Sequence, residues 1–140
     1  MERTFIMIKP DGVKRKMIGE IFKRFEQKGY KLESIKSLVP GVEIIRKHYK
    51  EHVNKPFYKS LEEFMTSGMV IPMVWSGINI ISGARKIAGA TNPNDADIGT
   101  IRGDYATEVD NNLVHTSDSP KSAEEEINTW FDVSELKSSN

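Results

Sequence analysis

The sequence predicts an α/β fold in which helices pack on one sheet of short strands. Three observations support it: β-prone apolar runs alternate with helix-like periodicity, no repeat or linker divides the chain, and 140 residues suit one core. We therefore expect a single domain over residues 1–140. The strands can form a parallel sheet or, equally, the split βαβ, ferredoxin-like arrangement, and the pattern leaves that choice open.

The first half of the chain predicts two strands and three helices. The first strand covers residues 4–8 and ends at Lys9-Pro10-Asp11-Gly12, because proline and glycine interrupt a β-ladder. One helix follows, with Asp11 as its N-cap and Gly29 as its stop, and its apolar stripe faces the strand. The elements after it are a strand over 32–39 and helices over 42–51 and 56–66.

The second half predicts two more strands and two more helices. A buried strand over 69–75 contains Pro72, which indicates an edge strand or a bulge. Residues 89–112 contain many turn-forming residues and are too long for an idle connector, so we expect them to be functional or disordered. The remaining elements are a helix over 79–88, a strand over 113–115 and a helix over 123–131.

Composition excludes several classes of protein. The chain has no cysteine, so a thiol nucleophile, a disulfide and a thiolate-bound metal are all excluded. Its 20 basic and 20 acidic residues balance, which argues against a dedicated nucleic-acid binder, although the basic first half leaves room for a local anion site. Residues 64–84 are uncharged, but proline and glycines interrupt them, so we expect no membrane span. The first residues lack the basic and apolar pattern of a signal peptide, so we expect a cytoplasmic protein.

His115 is the strongest candidate for a chemical role. It ends a short apolar strand and is followed by the polar run 116–119. In the helix after it, Glu125 points to solvent while Glu124 and Glu126 flank the apolar stripe. Either of these two could orient the imidazole, and periodicity does not choose between them.

Two further pairs have both a structural and a functional interpretation. His48 and His52 share a helix face and could bind a metal, but no third ligand lies nearby, so we interpret them as a surface pair beside Tyr49. Arg85 and Arg102 could form salt bridges or bind phosphate through their planar guanidinium groups. The usual glycine-rich phosphate loops are absent, so any phosphate chemistry would use side chains.

Six separated blocks of sequence together form a recognisable pattern. They are Thr4-Phe5-Ile6-Met7-Ile8-Lys9-Pro10-Asp11-Gly12-Val13, Gly19-Glu20-Ile21, Pro56-Phe57, Thr91-Asn92-Pro93, Gly99-Thr100-Ile101-Arg102-Gly103-Asp104 and Asn112-Leu113-Val114-His115-Thr116-Ser117-Asp118-Ser119. Over residues 3–131 this pattern resembles the nucleoside diphosphate kinases, and the last block resembles their active-site signature.

The resemblance implies a ferredoxin-like, four-stranded antiparallel sheet (βαββαβ) with added helices. It also implies transfer of the γ-phosphate from a nucleoside triphosphate to a nucleoside diphosphate, by a ping-pong mechanism through a phosphohistidine at His115. By the same resemblance, Glu126 holds the other ring nitrogen, Ser117 supports that carboxylate, and Lys9 belongs to the catalytic group.

The resemblance further implies a nucleotide site with low base specificity. Mg²⁺ would be held mainly through the nucleotide phosphates, with no metal site made by the protein itself. The implied contacts are Arg85, Arg102 and Thr91 to the phosphates, with Tyr49 and His52 close to them, Lys9 and Asn112 to the ribose, and Phe57, Val109 and Leu61 around the base.

Two positions depart from the family pattern. Thr116 stands where glycine is usual, and Ala90 stands where glutamate is frequent. A positive φ at Thr116 would strain the backbone by roughly 1–3 kcal/mol and lower the activity. The alternative function is therefore a nucleotide-binding scaffold with weak catalysis, and a nucleic-acid-binding role is less favoured. The resemblance also implies a homo-oligomer, either a hexamer or a tetramer.

Overall fold

Four strands form one antiparallel sheet in the computed structural model, which describes residues 1–136. The order across the sheet is β2-β3-β1-β4, so the ferredoxin-like alternative is confirmed and a parallel sheet is excluded. The last four residues of the predicted domain lie outside the described range. The strands are β1 (Glu2–Ile8), β2 (Lys31–Ile35), β3 (Ile71–Gly77) and β4 (Val114–Thr116).

Seven α-helices occur within the described residues. They are α1 (Pro10–Lys14), α2 (Ile18–Gln27), α3 (Val42–His48), α4 (Tyr58–Met65), α5 (Ile80–Ala88), α6 (Ile101–Tyr105) and α7 (Pro120–Trp130), with 3₁₀ turns at Pro93–Asp95 and Val133–Glu135. None of the helices in this part of the chain has the length and apolar character that a bilayer crossing requires.

The predicted first helix is wrong as a single element, because the chain breaks between α1 and α2. Lys16 has a φ of 60°, a left-handed conformation that ends α1 before α2 begins. Asp11 is not an N-cap either: Lys9 occupies that position, and the Asp11 carboxylate accepts the backbone N–H of Leu113 instead. The predicted stop at Gly29 is confirmed, with a φ of 100°.

The prediction from Pro72 that its strand lies at an edge is wrong. β3 pairs with β1 on one side and with β2 on the other, so it is central, and the irregular register falls in β2 between Leu32 and Ser34. The carbonyl of Pro72 accepts the N–H of Lys36, one residue beyond the end of β2. The missing N–H of Pro72 therefore faces a place where the regular ladder has already ended.

Residues 89–112, which were expected to be either functional or disordered, have a defined structure. They hold the 3₁₀ turn Pro93–Asp95 and helix α6, whose N-cap Thr100 accepts the N–H of Gly103. The other predicted elements are present with shifted ends. The predicted strand over 32–39 is shorter, because after Ile35 it keeps only an isolated bridge from Leu38 to Val70.

The sheet is covered by apolar side chains on both faces. Phe5 and Met7 of β1 pack with residues of α3, α4 and α7, while Ile6 and Ile8 pack with residues of α2 and α5. The same alternation continues in β4, where Val114 joins the α2/α5 core. His115, the next residue, therefore projects towards α3 and α7.

Candidate functional site

The turn after β1 holds the loop that leads into β4. The backbone N–H of Lys9 donates to the carbonyl of Leu113 at 2.9 Å, and the N–H of Leu113 donates to the Asp11 carboxylate at 3.1 Å. Leu113 is fully buried with a φ of 76°, an unusual conformation that these contacts stabilise. At Gly12 a Cβ atom would lie 2.8 Å from the Leu113 carbonyl oxygen, so this approach requires glycine.

His115 is hydrogen-bonded to Glu126, which projects from α7. The distance from His115 Nε2 to Glu126 Oε1 is 2.8 Å, and Ser117 Oγ donates to the same oxygen at 2.7 Å. Burial opposes ionisation of Glu126, but the hydrogen bond and charge of His115 outweigh it and lower its pKa. Because an ionised carboxylate only accepts, Nε2 is the protonated nitrogen of the neutral His115 ring, and Nδ1 carries the lone pair in that form.

The neighbouring glutamates of α7 have other partners. Glu124 forms a salt bridge with Arg3 at 3.0 Å, and Glu125 forms one with Lys50 at 3.2 Å. Of the two glutamates that periodicity left open, Glu126 is therefore the one in contact with His115.

His48 lies against His115, and its interpretation as a surface residue is wrong. The two ring centroids are 4.6 Å apart, and His48 Nδ1 accepts the indole N–H of Trp130 at 3.0 Å. Burial, followed by the charge of His115, lowers the pKa of His48 to about 3, so the ring is neutral at pH 7. His52 lies one turn further on, where Nδ1 is 2.9 Å from Nζ of Lys55.

Arg102 is buried beneath the site and fastens three stretches of backbone. Its guanidinium donates to the carbonyls of Gly89 at 2.7 Å, Val114 at 2.6 Å and Asn112 at 3.3 Å. Burial, and then the charge of Arg85, lowers its pKa to about 10, which keeps it protonated at pH 7. Three of its five N–H groups are thus engaged within the protein.

Among residues 1–136, the hydrogen bonds of Arg85 in α5 go to Thr116. Its Nη1 donates to the Thr116 carbonyl at 3.1 Å and lies 3.5 Å from the hydroxyl. The expected backbone strain at Thr116 is wrong, because within residues 1–136 the non-glycine positions with positive φ are Lys16, Asn79 and Leu113. Thr116 is 1% exposed, and its hydroxyl lies beside Arg85 of α5.

Lys9 is a buried cation at the edge of the same group. Its Nζ donates to Asn112 Oδ1 at 2.8 Å, and the Asn112 amide donates to the Thr91 carbonyl at 3.0 Å. Burial, followed by the charge of Arg102, lowers the pKa of Lys9 from 10.5 to about 8. Lys9 is therefore mostly charged at pH 7 and mostly neutral at pH 9.

One cavity of 370 Å³ brings these side chains together. The edge of the cavity formed by Phe57 and Val109 is open, since Phe57 is 51% exposed and Val109 is 47% exposed. Of the predicted site residues, only Ser117 does not line the cavity, since it is fully buried behind Glu126. Those that line it are Lys9, Tyr49, His52, Phe57, Leu61, Arg85, Thr91, Arg102, Val109, Asn112, His115 and Glu126.

Sequence reasoning did not place several lining residues in a site. They are His48, Glu51, Ser60, Asp110, Thr116, Asp118 and Ser122. Asp118 and Thr116 stand next to His115 within a quoted sequence block, and that proximity was the available signal. For His48 the only signal was its four-residue spacing from His52, which says nothing about contact with a strand 67 positions later.

The cavity contains two different kinds of metal ligand. Ligand atoms of His48, His115 and Glu126 lie within 4.8 Å of one another, a donor set rich in nitrogen that does not suit Mg²⁺. Asp118 supplies oxygen donors, and hydrogen bonds from Ser122 help to lower its pKa, so it is ionised at pH 7. Among residues 1–136 no three carboxylates converge on one point, so a Mg²⁺ ion bound here would depend mainly on ligands from a nucleotide.

Comparison with known proteins shows what this fold and site belong to. The family model described as nucleoside diphosphate kinase matches residues 2–136. A nucleoside diphosphate kinase of Thermosynechococcus vestitus is 54% identical over 136 residues, which cover 97% of this chain and 91% of that protein. The nucleoside diphosphate kinase of Brevibacillus brevis is also 54% identical, and the match covers 99% of this chain and 94% of that protein.

Solved structures give the same result. The structure of a nucleoside diphosphate kinase family protein from Babesia bovis matches with a TM-score of 0.97 and 44% identity, covering 100% of this chain and 95% of that one. The structure of a halophilic nucleoside diphosphate kinase from Halobacterium salinarum in complex with CDP matches with a TM-score of 0.96 and 45% identity. The match covers 99% of this chain and 93% of that one. This chain is a phosphotransferase that acts between nucleotides. It belongs to the nucleoside diphosphate kinase family.

Proposed function

We propose that this nucleoside diphosphate kinase works by a ping-pong mechanism in which His115 carries the phosphoryl group. The observation that carries the proposal is the hydrogen bond between His115 Nε2 and Glu126, at 2.8 Å. It leaves Nδ1 with a lone pair in a cavity lined by Lys9, Arg85 and Arg102. An imidazole held by a carboxylate is an activated nitrogen nucleophile.

In the first half-reaction, the Nδ1 lone pair of His115 attacks the γ-phosphorus of a nucleoside triphosphate. The N–P bond forms as the bond from the γ-phosphorus to the β–γ bridging oxygen breaks, and a nucleoside diphosphate leaves. The Nε2 proton stays on the ring, and the Glu126 carboxylate balances the positive charge that develops there. The second half-reaction reverses these steps with a different diphosphate.

The proposed phosphate contacts come from cations that the fold holds in different ways. Within the described part of the chain Arg85 is hydrogen-bonded through Nη1 alone, to Thr116, so Nε and Nη2 are available to phosphate oxygens. Arg102 keeps two N–H groups beyond its three backbone bonds and adds a buried positive charge. Thr91 lines the same cavity, with Tyr49 and His52 close by. Phosphoryl transfer depends mainly on such positioning and charge.

The proposed sugar and base contacts lie towards the open end of the cavity. Lys9 and Asn112 are hydrogen-bonded to each other, and we assign both to the ribose hydroxyls. Phe57 and Val109, with Leu61 beside them, would hold the base by its faces, and stacking distinguishes only weakly between bases. The neighbouring halophilic structure is a complex with CDP, which supports a pocket for pyrimidine as well as purine diphosphates.

The divalent metal ion that serves nucleotide kinases would be Mg²⁺, brought in on the nucleotide. It would neutralise charge on the phosphate oxygens, and Asp118 is an ionised carboxylate that lines this cavity together with Arg85. We further propose a single domain over residues 1–140 that assembles into a homo-oligomer, a hexamer or a tetramer, in the cytoplasm. Light scattering on the purified protein distinguishes the two assemblies.

The experiment that tests the mechanism is chemical labelling. The protein is mixed with γ-labelled ATP and Mg²⁺, and label should appear on it that is lost in acid and retained in alkali, as expected for a phosphoramidate. Addition of an unlabelled nucleoside diphosphate should remove it. Absence of label would favour the scaffold alternative. That alternative depended on backbone strain at Thr116, whose φ is not positive.

A further inference from the structure

His48 is a polar residue in ring contact with His115, and the mechanism above gives it no role. Its ring meets His115 at an interplanar angle of 77°, with 4.6 Å between centroids. The His48 ring also packs against Tyr49 and Trp130, with ring centroids 4.5 Å and 5.7 Å away. The Phe5 ring centroid lies 5.9 Å from that of each histidine. The ring of His48 is therefore enclosed by aromatic neighbours and forms one wall against His115.

One hydrogen bond fixes how the His48 ring is turned. The indole N–H of Trp130, a residue only 2% exposed, donates to His48 Nδ1 at 3.0 Å. Nδ1 therefore accepts, and the neutral ring carries its proton on Nε2. A neutral ring also adds no positive charge beside a phosphorylated His115, where a charged one would oppose the imidazolium that Glu126 stabilises.

The wall matters because an imidazole has two nitrogens that can accept a phosphoryl group. A half-turn of His115 about its Cβ–Cγ bond would exchange Nδ1 with Cδ2 and Nε2 with Cε1. That turn breaks the 2.8 Å bond to Glu126 and moves the lone pair. Packing by His48 on one side and Phe5 on another opposes the turn.

We propose that His48, oriented by Trp130, is a positioning residue that keeps Nδ1 of His115, rather than Nε2, as the nitrogen that is phosphorylated. The inference rests on the proposed function, since it concerns the nucleophile of that reaction. His48 acts through His115 and makes the site selective for one phosphohistidine isomer.

Three variants separate the ring of His48 from its hydrogen bond. His48→Asn keeps an acceptor for Trp130 but removes the ring, His48→Phe keeps a ring without the acceptor, and Trp130→Phe removes the indole donor outside the cavity. Glu125→Gln is the matched control. Glu125 lies on the same helix as Glu126, but it pairs with Lys50 and contacts neither histidine. Three quantities are measured for each variant. They are the single-turnover labelling rate with γ-labelled ATP, the nucleotide dissociation constant, and the phosphohistidine isomer, which ³¹P nuclear magnetic resonance identifies.

The wild type should form the Nδ1 isomer alone. His48→Asn should slow labelling by about 10- to 100-fold, the range expected when a reacting group is misplaced, and should form some Nε2 isomer while nucleotide affinity stays within about twofold. His48→Phe and Trp130→Phe should slow labelling less, and the control should match the wild type.

Unchanged rate and isomer in folded variants, with only a lower melting temperature, would overturn the proposal and make His48 a structural partner of Trp130. If the His48 variants fail to fold, Trp130→Phe decides by the same two readouts. Failure of the wild type to be labelled at all would instead overturn the proposed function, so the two failures are distinguishable.

Discussion

The two sides of the cavity differ in how much of their arrangement exists before a nucleotide arrives. The histidine side is formed by His48, His115, Ser117, Glu126 and Trp130. Hydrogen bonds of 2.7–2.8 Å join His115 and Ser117 to Glu126, one of 3.0 Å joins Trp130 to His48, and the rings of the two histidines pack against each other. The base side, formed by Phe57, Leu61 and Val109, has its two outer residues about half exposed. Groups whose orientation decides the chemistry are held by the fold, whereas groups that only stack are left open.

The difference has a physical reason. A hydrogen-bonded, buried group needs no reorganisation when charge develops in the transition state, so its stabilising effect is larger than that of an exposed group. An apolar face that accepts any base gains from remaining accessible and from making no directional contact. Substitutions on the histidine side should therefore affect turnover, and those on the base side should affect binding.

The largest effect expected on the histidine side follows His115→Ala. Labelling by γ-labelled ATP and nucleotide exchange should both fall to background, because the Nδ1 lone pair of His115 is removed, and the adjacent His48 uses its own Nδ1 to accept the indole N–H of Trp130. Circular dichroism should show an intact fold. Retention of even a tenth of the exchange activity would assign the nucleophile to another residue.

Glu126→Gln should have the next largest effect on turnover. The amide keeps the size of the side chain but cannot balance a positive imidazole, so kcat should fall by roughly 10- to 1000-fold. Glu125→Gln, one position away and paired with Lys50, should leave kcat nearly unchanged. Equal losses in the two variants would contradict the distinction drawn between these neighbours.

Phe57→Ala tests the base side and should raise KM while sparing kcat. Loss of stacking, worth about 1–3 kcal/mol per base, should weaken adenine, guanine, cytosine and uracil diphosphates together by about tenfold, purines somewhat more. Steady-state kinetics with all four substrates measure this. A loss confined to one base would reveal a group that recognises a base edge.

The pH dependence of nucleoside diphosphate binding should report on Lys9. Because the pKa of Lys9 is lowered to about 8, raising the pH from 7 to 9 removes its charge, and affinity should fall by up to about tenfold. Calorimetric titration at pH 7, 8 and 9 measures this. In Lys9→Arg the charge persists, so a decline as steep as in the wild type would contradict the assignment.

The remaining prediction concerns stability in acid on the histidine side, where no effect is expected at pH 7. The pKa of His48 is about 3 in the folded protein, against 6.5 for an ordinary histidine, so the unfolded chain binds more protons between these pH values. Stability should therefore fall as the pH drops through this window, by at most about 1.4 kcal/mol per pH unit from this group. Urea unfolding of His48→Phe should show a correspondingly shallower decline, and an unchanged slope would exclude His48 as the cause.

Local patterns were informative wherever the controlling interactions are near in sequence. The stop at Gly29, the alternation in β1 and the polar run after His115 each depend on the backbone preferences or side-chain spacing of a few residues. The break at Lys16 was missed because the apolar stripe continues through it, and periodicity describes a face without requiring one unbroken helix.

Three conclusions follow from the sequence by itself. They are the order of strands and helices along the chain, the exclusion of thiol chemistry, and the resemblance to one family in which His115 is the central residue. The central place of β3 and the inner position of His48 required the folded structure. The contact of Glu126 rather than Glu124 with His115 was implied by the family resemblance, but it could not be derived from the periodicity of the helix. Each of these depends on contacts between elements far apart in the chain, and local periodicity carries no information about which distant partner a face will meet.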